Sequence, residues 1–135
     1  MGKSRRKQGD VCACGSGNNR AACCGPYLDG GASAPTAEAL MRSRYTAFVE
    51  GREGYLRATW AAETRPESLR LDPDQRWLGL DIRATEAGGA EDAEGWVEFV
   101  ARSRVQGQGV RLHERSRFRR EAGRWVYVDG VFPGV

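Results

Sequence analysis

All four cysteines of this 135-residue chain lie close together near its N-terminus. They form two closely spaced pairs, and such pairs supply the four soft, negatively charged ligands that zinc takes in a tetrahedron. Residues 15–19, between the pairs, read Gly-Ser-Gly-Asn-Asn, which tolerates positive φ and allows a turn with free backbone N–H groups. The spacing therefore predicts one tetrathiolate site that takes Zn²⁺ and also accepts iron, formed by Cys12, Cys14, Cys23 and Cys24.

A pair of disulfides is the alternative use of an even number of cysteines, and small secreted domains adopt it. No apolar signal segment follows Met1, so we expect a reducing, cytoplasmic environment, where this spacing favours a metal. A redox dithiol at Cys23 and Cys24 stays open, although adjacent cysteines lack the two-residue gap of the usual redox motif.

The segment around the cysteines, residues 12–25, resembles the SEC-C motif. That motif is a zinc-binding segment also found at the end of the SecA translocase motor, where it meets protein partners and the ribosome. The resemblance implies zinc at the four cysteines and contact with a protein or ribosomal partner.

Further motifs extend the resemblance along nearly the whole chain, and they are similar to the functionally uncharacterised YchJ-like family. The resemblance implies an α+β fold of the nuclear-transport-factor-2-like (cystatin-like) type, in which a cone of helices lies on a curved antiparallel sheet. It divides the chain into a zinc knuckle with a basic tail, residues 1–31, and the α+β domain, residues 32–135. The matching segments are residues 34–45, 58–60, 64–66, 77–80, 113–118 and 128–130.

The chain departs from the family pattern in two places. Family members usually have His-Pro after the tryptophan, where this chain has Ala61 and Ala62, so a catalytic role for that histidine is excluded here. Some members also carry a second cysteine motif at the C-terminus, and we expect none in this chain.

Charge is distributed unevenly around a formal net charge of only +3. Residues 1–24 hold one acid and five basic residues, and the basic residues include Lys3, Arg5, Arg6 and Lys7. Residues 25–101 hold fourteen acids against eight arginines, and residues 102–135 hold eight arginines against three acids. This pattern predicts either neutralisation within the fold or a basic surface for an anionic partner. No stretch is long and apolar enough to predict a membrane span.

Helical periodicity follows a small, flexible stretch at residues 28–35 that has the composition of a linker. Thr36 is a predicted N-cap, apolar residues recur with three-four spacing from 37 to 49, and Gly51 is a predicted C-terminal stop. A second short helix is predicted before Pro66, carrying Tyr55, Leu56, Thr59 and Trp60.

From about residue 76 the period changes to two, which is typical of strands. Leu78, Leu80 and Ile82 are predicted to share one apolar face with Ala84, and Val97, Phe99, Ala101, Ser103 and Val105 to form the next. Hairpin turns are predicted at residues 106–109 and 121–123, with strands at 110–118 and 124–129. Two helices followed by an antiparallel meander predict an α+β fold with the helices on one face of the sheet.

The strand at residues 110–118 alternates between cations and mostly apolar residues. Its outward face is predicted to carry the arginine ladder, and the sole histidine, His113, lies on the same side. Such a ladder predicts low-specificity contact with nucleic acid or the ribosome, and a merely solvated face is the alternative. The ladder consists of Arg111, Arg115, Arg117 and Arg119.

The opposite face of that strand places Glu114 and Ser116 under the predicted helices. A buried carboxylate must be paired or protonated, and Arg44, at the edge of the helix stripe, is its predicted partner. The pair forms either an internal ion pair that fixes helix on sheet, or the polar base of a ligand cavity that also includes Tyr127 or Asp129.

No nucleophile elbow, phosphate loop, dinucleotide fingerprint or pair of catalytic carboxylates occurs in the sequence. Enzyme activity is therefore not supported by a motif. The sequence predicts a cytosolic zinc-binding interaction or adapter protein that docks a protein or ribosomal partner through its knuckle. The alternative is a small-molecule-binding protein or enzyme that uses the cone cavity.

Overall fold

The computed structural model describes residues 11–133, and the basic tail with Lys3, Arg5, Arg6 and Lys7 lies outside them. One 3-10 turn, Arg20–Ala22, is followed by α1 (Gly25–Leu28), α2 (Ala37–Glu50) and α3 (Glu53–Ala58). The strands are β1 (Gln75–Ala87), β2 (Glu94–Val105), β3 (Gln108–Glu121) and β4 (Arg124–Val131).

The four strands form one antiparallel meander in the order β1-β2-β3-β4. Helix α2 packs across this sheet and contacts β1, β2 and β4. The predicted α+β fold, with helices on one face of an antiparallel sheet, is confirmed. Among residues 11–133, no helix has the length and apolar character needed to span a bilayer.

Helix α2 begins and ends where the sequence predicts. Thr36 accepts a hydrogen bond at its Oγ1 from the backbone N–H of Ala39, 3.0 Å away, which satisfies one of the free donors of the first turn. Gly51 ends the helix in the left-handed region at φ 73°. Most of the predicted apolar stripe is buried, with Leu40, Met41 and Tyr45 in the main core. At its C-terminal end Phe48 is half-buried, and Val49 is exposed.

Helix α3 is shorter than predicted. It ends at Ala58, and the backbone of Trp60 instead forms a parallel bridge with Tyr127 of β4. The Tyr127 N–H donates to the carbonyl of Thr59 at 2.8 Å, and the Ala61 N–H donates to the carbonyl of Tyr127 at 2.8 Å. The prediction that Thr59 and Trp60 are helical is wrong because this segment pairs with the sheet.

Strand β1 contains a bulge that changes which side chains face the helices. Trp77 pairs with Ser103 while Gly79 pairs with Arg102, so Leu78 is the extra residue. Trp77 therefore packs towards α2, and Leu78 is 57% exposed. A second register shift, between Ile82 and Ala84, places the exposed Ala84 opposite Glu98 on the outer face. The predicted common face of Leu78, Leu80, Ile82 and Ala84 is therefore wrong at its first and last members.

The hairpin turns are confirmed as tight connections. Gln106 and Gly107 have φ of 51° and 80°, and Ala122 and Gly123 have φ of 52° and 81°. Positive φ at both central residues is typical of the type I′ turn, whose twist matches that of the flanking strands.

The stretch predicted as a linker is held against the sheet. The carbonyl of Pro35 accepts a hydrogen bond from Trp125 Nε1 at 3.1 Å. The buried Cys12, Cys14 and Leu28 also belong to the same apolar cluster as Leu40. The division of the chain at residues 31 and 32 stays a prediction, and the two parts share packed side chains.

We expect Thr36→Ala to lower the free energy of unfolding by about 1 kcal/mol, because the N–H of Ala39 loses its acceptor. Urea denaturation measures this change. Thr36→Ser is the matched control because it retains a hydroxyl oxygen. Equal stabilities for the alanine and serine variants would contradict the assigned cap.

Candidate functional site

The loop that carries the cysteines folds back on itself as its sequence predicts. Val11 and Asn19 form an antiparallel bridge, and the N–H of Cys12 donates to the carbonyl of Asn18 at 2.8 Å. Gly15 and Gly17 adopt φ of 85° and 87°, a region where a side chain is strained. These two glycines allow the tight turn that returns the second cysteine pair to the first.

The four cysteine sulfurs form one compact cluster, and all lie within 4.8 Å of one another. Cys14 Sγ lies 3.5 Å from Cys23 Sγ, which lies 3.9 Å from Cys24 Sγ. Zinc–sulfur bonds of about 2.3 Å place tetrahedral sulfurs about 3.8 Å apart, whereas a disulfide requires about 2.05 Å. The cluster therefore fits a tetrahedral metal ion, and its four cysteines are free thiols rather than disulfides.

The pKa values of the clustered cysteines show why four thiolates would need the positive charge of a metal ion. A hydrogen bond from the thiol of Cys24 lowers the pKa of Cys14 to about 4, with a further contribution from Ser16. The same contact raises the pKa of Cys24, and burial raises the pKa of Cys23. One thiolate is stabilised by its neighbours, so four thiolates in this space require a divalent cation to offset their charge.

Side chains around the sulfurs orient them. Ser16 Oγ lies 3.2 Å from Cys23 Sγ, and Thr46 Oγ1 of α2 lies 3.7 Å from Cys12 Sγ. Arg42 Nη1 donates to the carbonyl of Cys14 at 2.8 Å and lies 3.9 Å from its sulfur. Such partners hold metal ligands in their binding conformation.

Arg42 and Thr46 were not identified from the sequence as part of the site. They are four residues apart in α2 and therefore lie on one face of the helix. Polar residues at this spacing, beside a stripe of apolar ones, are a signal for a second contact surface. That surface packs against the knuckle, which we define as residues 11–28.

An ion-pair network also fastens the knuckle to the C-terminal end of α2. Arg20 Nε lies 2.6 Å from Glu50 Oε2, and Arg20 Nη1 lies 3.3 Å from Asp29 Oδ2. Arg52 also contacts Asp29 at 3.0 Å and Glu50 at 3.4 Å. Single exposed pairs contribute little, but a network of four charges restrains the knuckle's orientation.

The knuckle also adjoins the edge of the sheet. A Cβ at Gly15 would lie 3.1 Å from the carbonyl oxygen of Leu80 in β1. A side chain at this position would require the loop or the strand to shift by a few tenths of an ångström. The tip of the cysteine loop therefore lies beside the bulged stretch of β1.

The residues predicted to form a pocket come together at a second site, separate from the cysteine cluster. Arg44, Glu114 and Ser116 all line a cavity of about 330 Å³ between α2 and the sheet. Most of its wall is apolar or aromatic, which is typical of small-molecule sites. Tyr127 also lines the cavity, whereas Asp129 pairs with Arg117 on the opposite side of the sheet.

Arg44 and Glu114 do not form the predicted ion pair: among the described residues, no carboxylate lies within 4.0 Å of Arg44. Arg44 Nη1 donates to the carbonyls of Leu56 and Thr59 at 2.9 and 3.2 Å, and to Thr59 Oγ1 at 2.7 Å. Glu114 Oε2 accepts hydrogen bonds from Ser116 Oγ and Tyr127 OH, each at 2.8 Å.

The arginine ladder lies on the outer face of β3, as its alternation predicts, but most of its charge is compensated. Arg115 pairs with Glu86 at 2.6 Å, and Arg117 pairs with Asp129 and Glu94. Arg119 contacts both Glu63 and Glu121. The role of the ladder as a surface for an anionic partner stays a prediction. The ion pairs reduce the positive charge that the ladder can offer to such a partner.

Four arginines on the outer face, of which Arg111 belongs to the ladder, have no acidic partner among residues 11–133. Arg76 is the register partner of Arg104, and Arg102 is the register partner of Arg111. All four are exposed, and like charges directly across strands are destabilising. We call Arg76, Arg102, Arg104 and Arg111 the hairpin arginines.

Comparison with known proteins shows similarity to one protein family along nearly the whole chain. Residues 36–130 match the family model described as "YchJ, middle NTF2-like domain". A UPF0225 protein of Chromobacterium violaceum is 56% identical over 133 residues, covering 96% of this chain and 98% of the relative.

Two solved structures of SEC-C motif containing proteins share the fold. The solution structure from Rhodopseudomonas palustris has a TM-score of 0.79 and 36% identity, covering 90% of this chain and 98% of that one. The crystal structure from Psychrobacter arcticus has a TM-score of 0.72 and 27% identity, covering 93% and 82%.

We expect reduced, freshly purified protein to contain one zinc or iron ion per chain by elemental analysis, since four thiolates complete a tetrahedral site. Cys24→Ser should lose most of the metal, and Thr46→Val should lower metal affinity by about tenfold because Cys12 loses its hydroxyl partner. Reduced protein without bound metal would contradict the site.

Proposed function

The chain belongs to the UPF0225 family of YchJ-like proteins, and we propose that it is a cytoplasmic adapter whose knuckle binds zinc and docks a ribosomal partner. Four protein thiolates fill a tetrahedral site and leave no open coordination position, which is typical of a structural metal rather than a catalytic one. The observation that carries the proposal is the single cluster formed by the four sulfurs. The reducing cytoplasm keeps these thiols available for metal.

A docking role fits the way in which the knuckle is oriented. Its metal-binding side chains turn inwards, with Cys12, Cys14 and Cys24 buried. Apart from Val11, the exposed positions are small or polar and include Ala13, Asn18, Ala21 and Ala22. Short side chains leave the backbone of the loop accessible, so the metal would maintain a rigid surface whose shape a partner recognises.

The charge next to the knuckle favours a partner that contains RNA. Gly15 at the knuckle tip lies against Leu80, and the neighbouring Gly79 is the register partner of Arg102. The hairpin arginines therefore begin at the stretch of β1 that the knuckle adjoins. Unpaired guanidinium groups suit phosphate, and they support a ribosomal partner over an uncharged protein surface.

We expect the wild-type protein to co-sediment with ribosomes and Cys24→Ser to lose this association together with its metal. Ala21→Glu should keep the metal yet weaken association at least about tenfold, because a negative charge then faces the partner. Ala90→Glu, the same change at an exposed position in the β1–β2 loop, is the matched control. Equal association of wild type and Ala21→Glu would contradict docking through the knuckle.

We expect the association with ribosomes to weaken as the salt concentration rises. Each phosphate contact contributes about 0.7 to 0.9 to the slope of log affinity against log salt concentration. The double variant Arg102→Gln, Arg104→Gln should therefore reduce the magnitude of this slope by about 1.4 to 1.8. Arg70→Gln with Arg124→Gln changes net charge equally at exposed sites outside the hairpin arginines. If both double variants change the slope alike, the hairpin arginines make no specific contact.

A further inference from the structure

The cavity between α2 and the sheet has a polar floor and an apolar mouth. At the floor, Arg44 is 3% exposed, Glu114 is 9% exposed and Ser116 is fully buried. Half-buried aromatic and aliphatic side chains form the opening, including Phe48 and Trp77, whose ring centroids are 5.7 Å apart. A ligand that fits this arrangement has a polar end that enters first and an apolar body behind it.

The guanidinium of Arg44 is buried, and among the described residues no carboxylate is in direct contact with it. Only neutral oxygens accept its hydrogen bonds, all of them through Nη1, and the rings of Trp60 and Tyr127 lie 4.9 and 4.8 Å from its Cζ. Within the described chain, Nε and Nη2 have no hydrogen-bond acceptor. Burial lowers the pKa of Arg44 to about 10, so the group is still charged at neutral pH. A buried cation with free donors is costly unless an anion occupies the adjoining space.

Glu114 presents the opposite charge to the same cavity. Its Oε2 takes both hydroxyl hydrogen bonds, and its Oε1 has no donor among residues 11–133. A Cβ at Gly130 would lie only 2.0 Å from Oε2, so the glycine on β4 is what leaves room for the carboxylate. The carboxylate is therefore held in place by its surroundings and keeps one oxygen free.

A third polar group in the cavity wall lacks a partner. Trp60 Nε1 is buried and has no hydrogen-bond acceptor in the described structure. Trp60 also stacks edge-on against Tyr127, with ring centroids 5.2 Å apart. A buried donor without an acceptor is rare in folded proteins and points to a missing ligand atom.

We propose that this cavity binds a small zwitterion with an apolar body, a free amino acid with a large apolar side chain. Its carboxylate would accept from Arg44 and Trp60 Nε1, its ammonium would donate to Glu114 Oε1, and its side chain would pack against the contacting rings of Phe48 and Trp77. This ligand site is separate from the knuckle and does not depend on the docking function.

Charge and size favour a zwitterion over related ligands. A simple carboxylate would leave Glu114 Oε1 without a donor and bring two negative charges together. A simple amine would place a cation beside Arg44. A zwitterion offsets both buried charges at once, and a volume of about 330 Å³ lies at the small end of ligand sites.

The four tryptophans provide internal reporters for an NMR titration. Trp60 and Trp77 line the cavity, whereas Trp96 and Trp125 do not, and Trp125 Nε1 is bonded to Pro35. L-Phenylalanine, L-leucine, L-methionine and L-tryptophan are added in turn. At least one should shift the indole resonances of Trp60 and Trp77 and leave those of Trp96 and Trp125 in place.

Two analogues of phenylalanine test each charge separately. Phenylpropanoate lacks the ammonium and phenethylamine lacks the carboxylate, so each should bind the wild type about tenfold more weakly than phenylalanine, the effect of losing one charged hydrogen bond. Absence of cavity shifts with all four amino acids, or tighter binding of either analogue than of phenylalanine, would overturn the proposal.

Two conservative variants assign the contacts. Glu114→Gln should weaken the binding of phenylalanine and phenethylamine about tenfold and leave the binding of phenylpropanoate unchanged. Trp60→Phe should weaken the binding of phenylalanine and phenylpropanoate, which carry a carboxylate, and leave that of phenethylamine unchanged. Unchanged Trp96 and Trp125 resonances verify the fold of each variant. If the two variants affect all three ligands equally, the assigned contacts are wrong, and the wild-type titration tests the proposal even if a variant does not fold.

Discussion

The packing of helix α2 against the sheet is the interaction on which the rest of the structure depends. One face of the helix carries Arg42 and Thr46, which contact the cysteine cluster. The adjoining face carries Leu40, Arg44 and Tyr45 and is buried against the sheet. Because 3.6 residues complete each turn, both sets are fixed by the same rotation of the helix. A shift of α2 would therefore disturb the metal ligands and the cavity together.

This shared helix changes how the knuckle relates to the domain behind it. A segment of this size is too small to bury a core of its own, and small metal-binding segments commonly gain order from their metal. Its buried cysteines nevertheless join the apolar cluster that includes Leu40, and the segment after it is bonded to Trp125 through Pro35. A metal bound to the four cysteines would therefore stabilise packing that belongs to the domain as well as to the knuckle.

Features that depend on neighbours in sequence were predictable, whereas long-range features were not. The cap at Thr36, the stop at Gly51, the two tight turns and the face of β3 follow from local patterns. The bulge at Leu78 and the extended backbone of Trp60 are set by pairing with distant strands. Arg44 and Glu114 line one cavity, but the contact to Glu114 that was predicted for Arg44 is made by the hydroxyl of Tyr127, which a third element supplies.

Strand register also decides which arginines are free, and neither composition nor alternation reveals it. On β3, Arg115 and Arg117 lie within reach of acids on β1, β2 and β4, so their charges are compensated within the sheet. Towards the β2–β3 turn, register places Arg76 opposite Arg104 and Arg102 opposite Arg111, and cations face cations. The small net charge of +3 thus conceals a sheet whose outer face is neutralised at one end and strongly cationic at the other. Since like charges across strands cost stability, the cationic end is the part of this face whose arrangement folding alone does not favour.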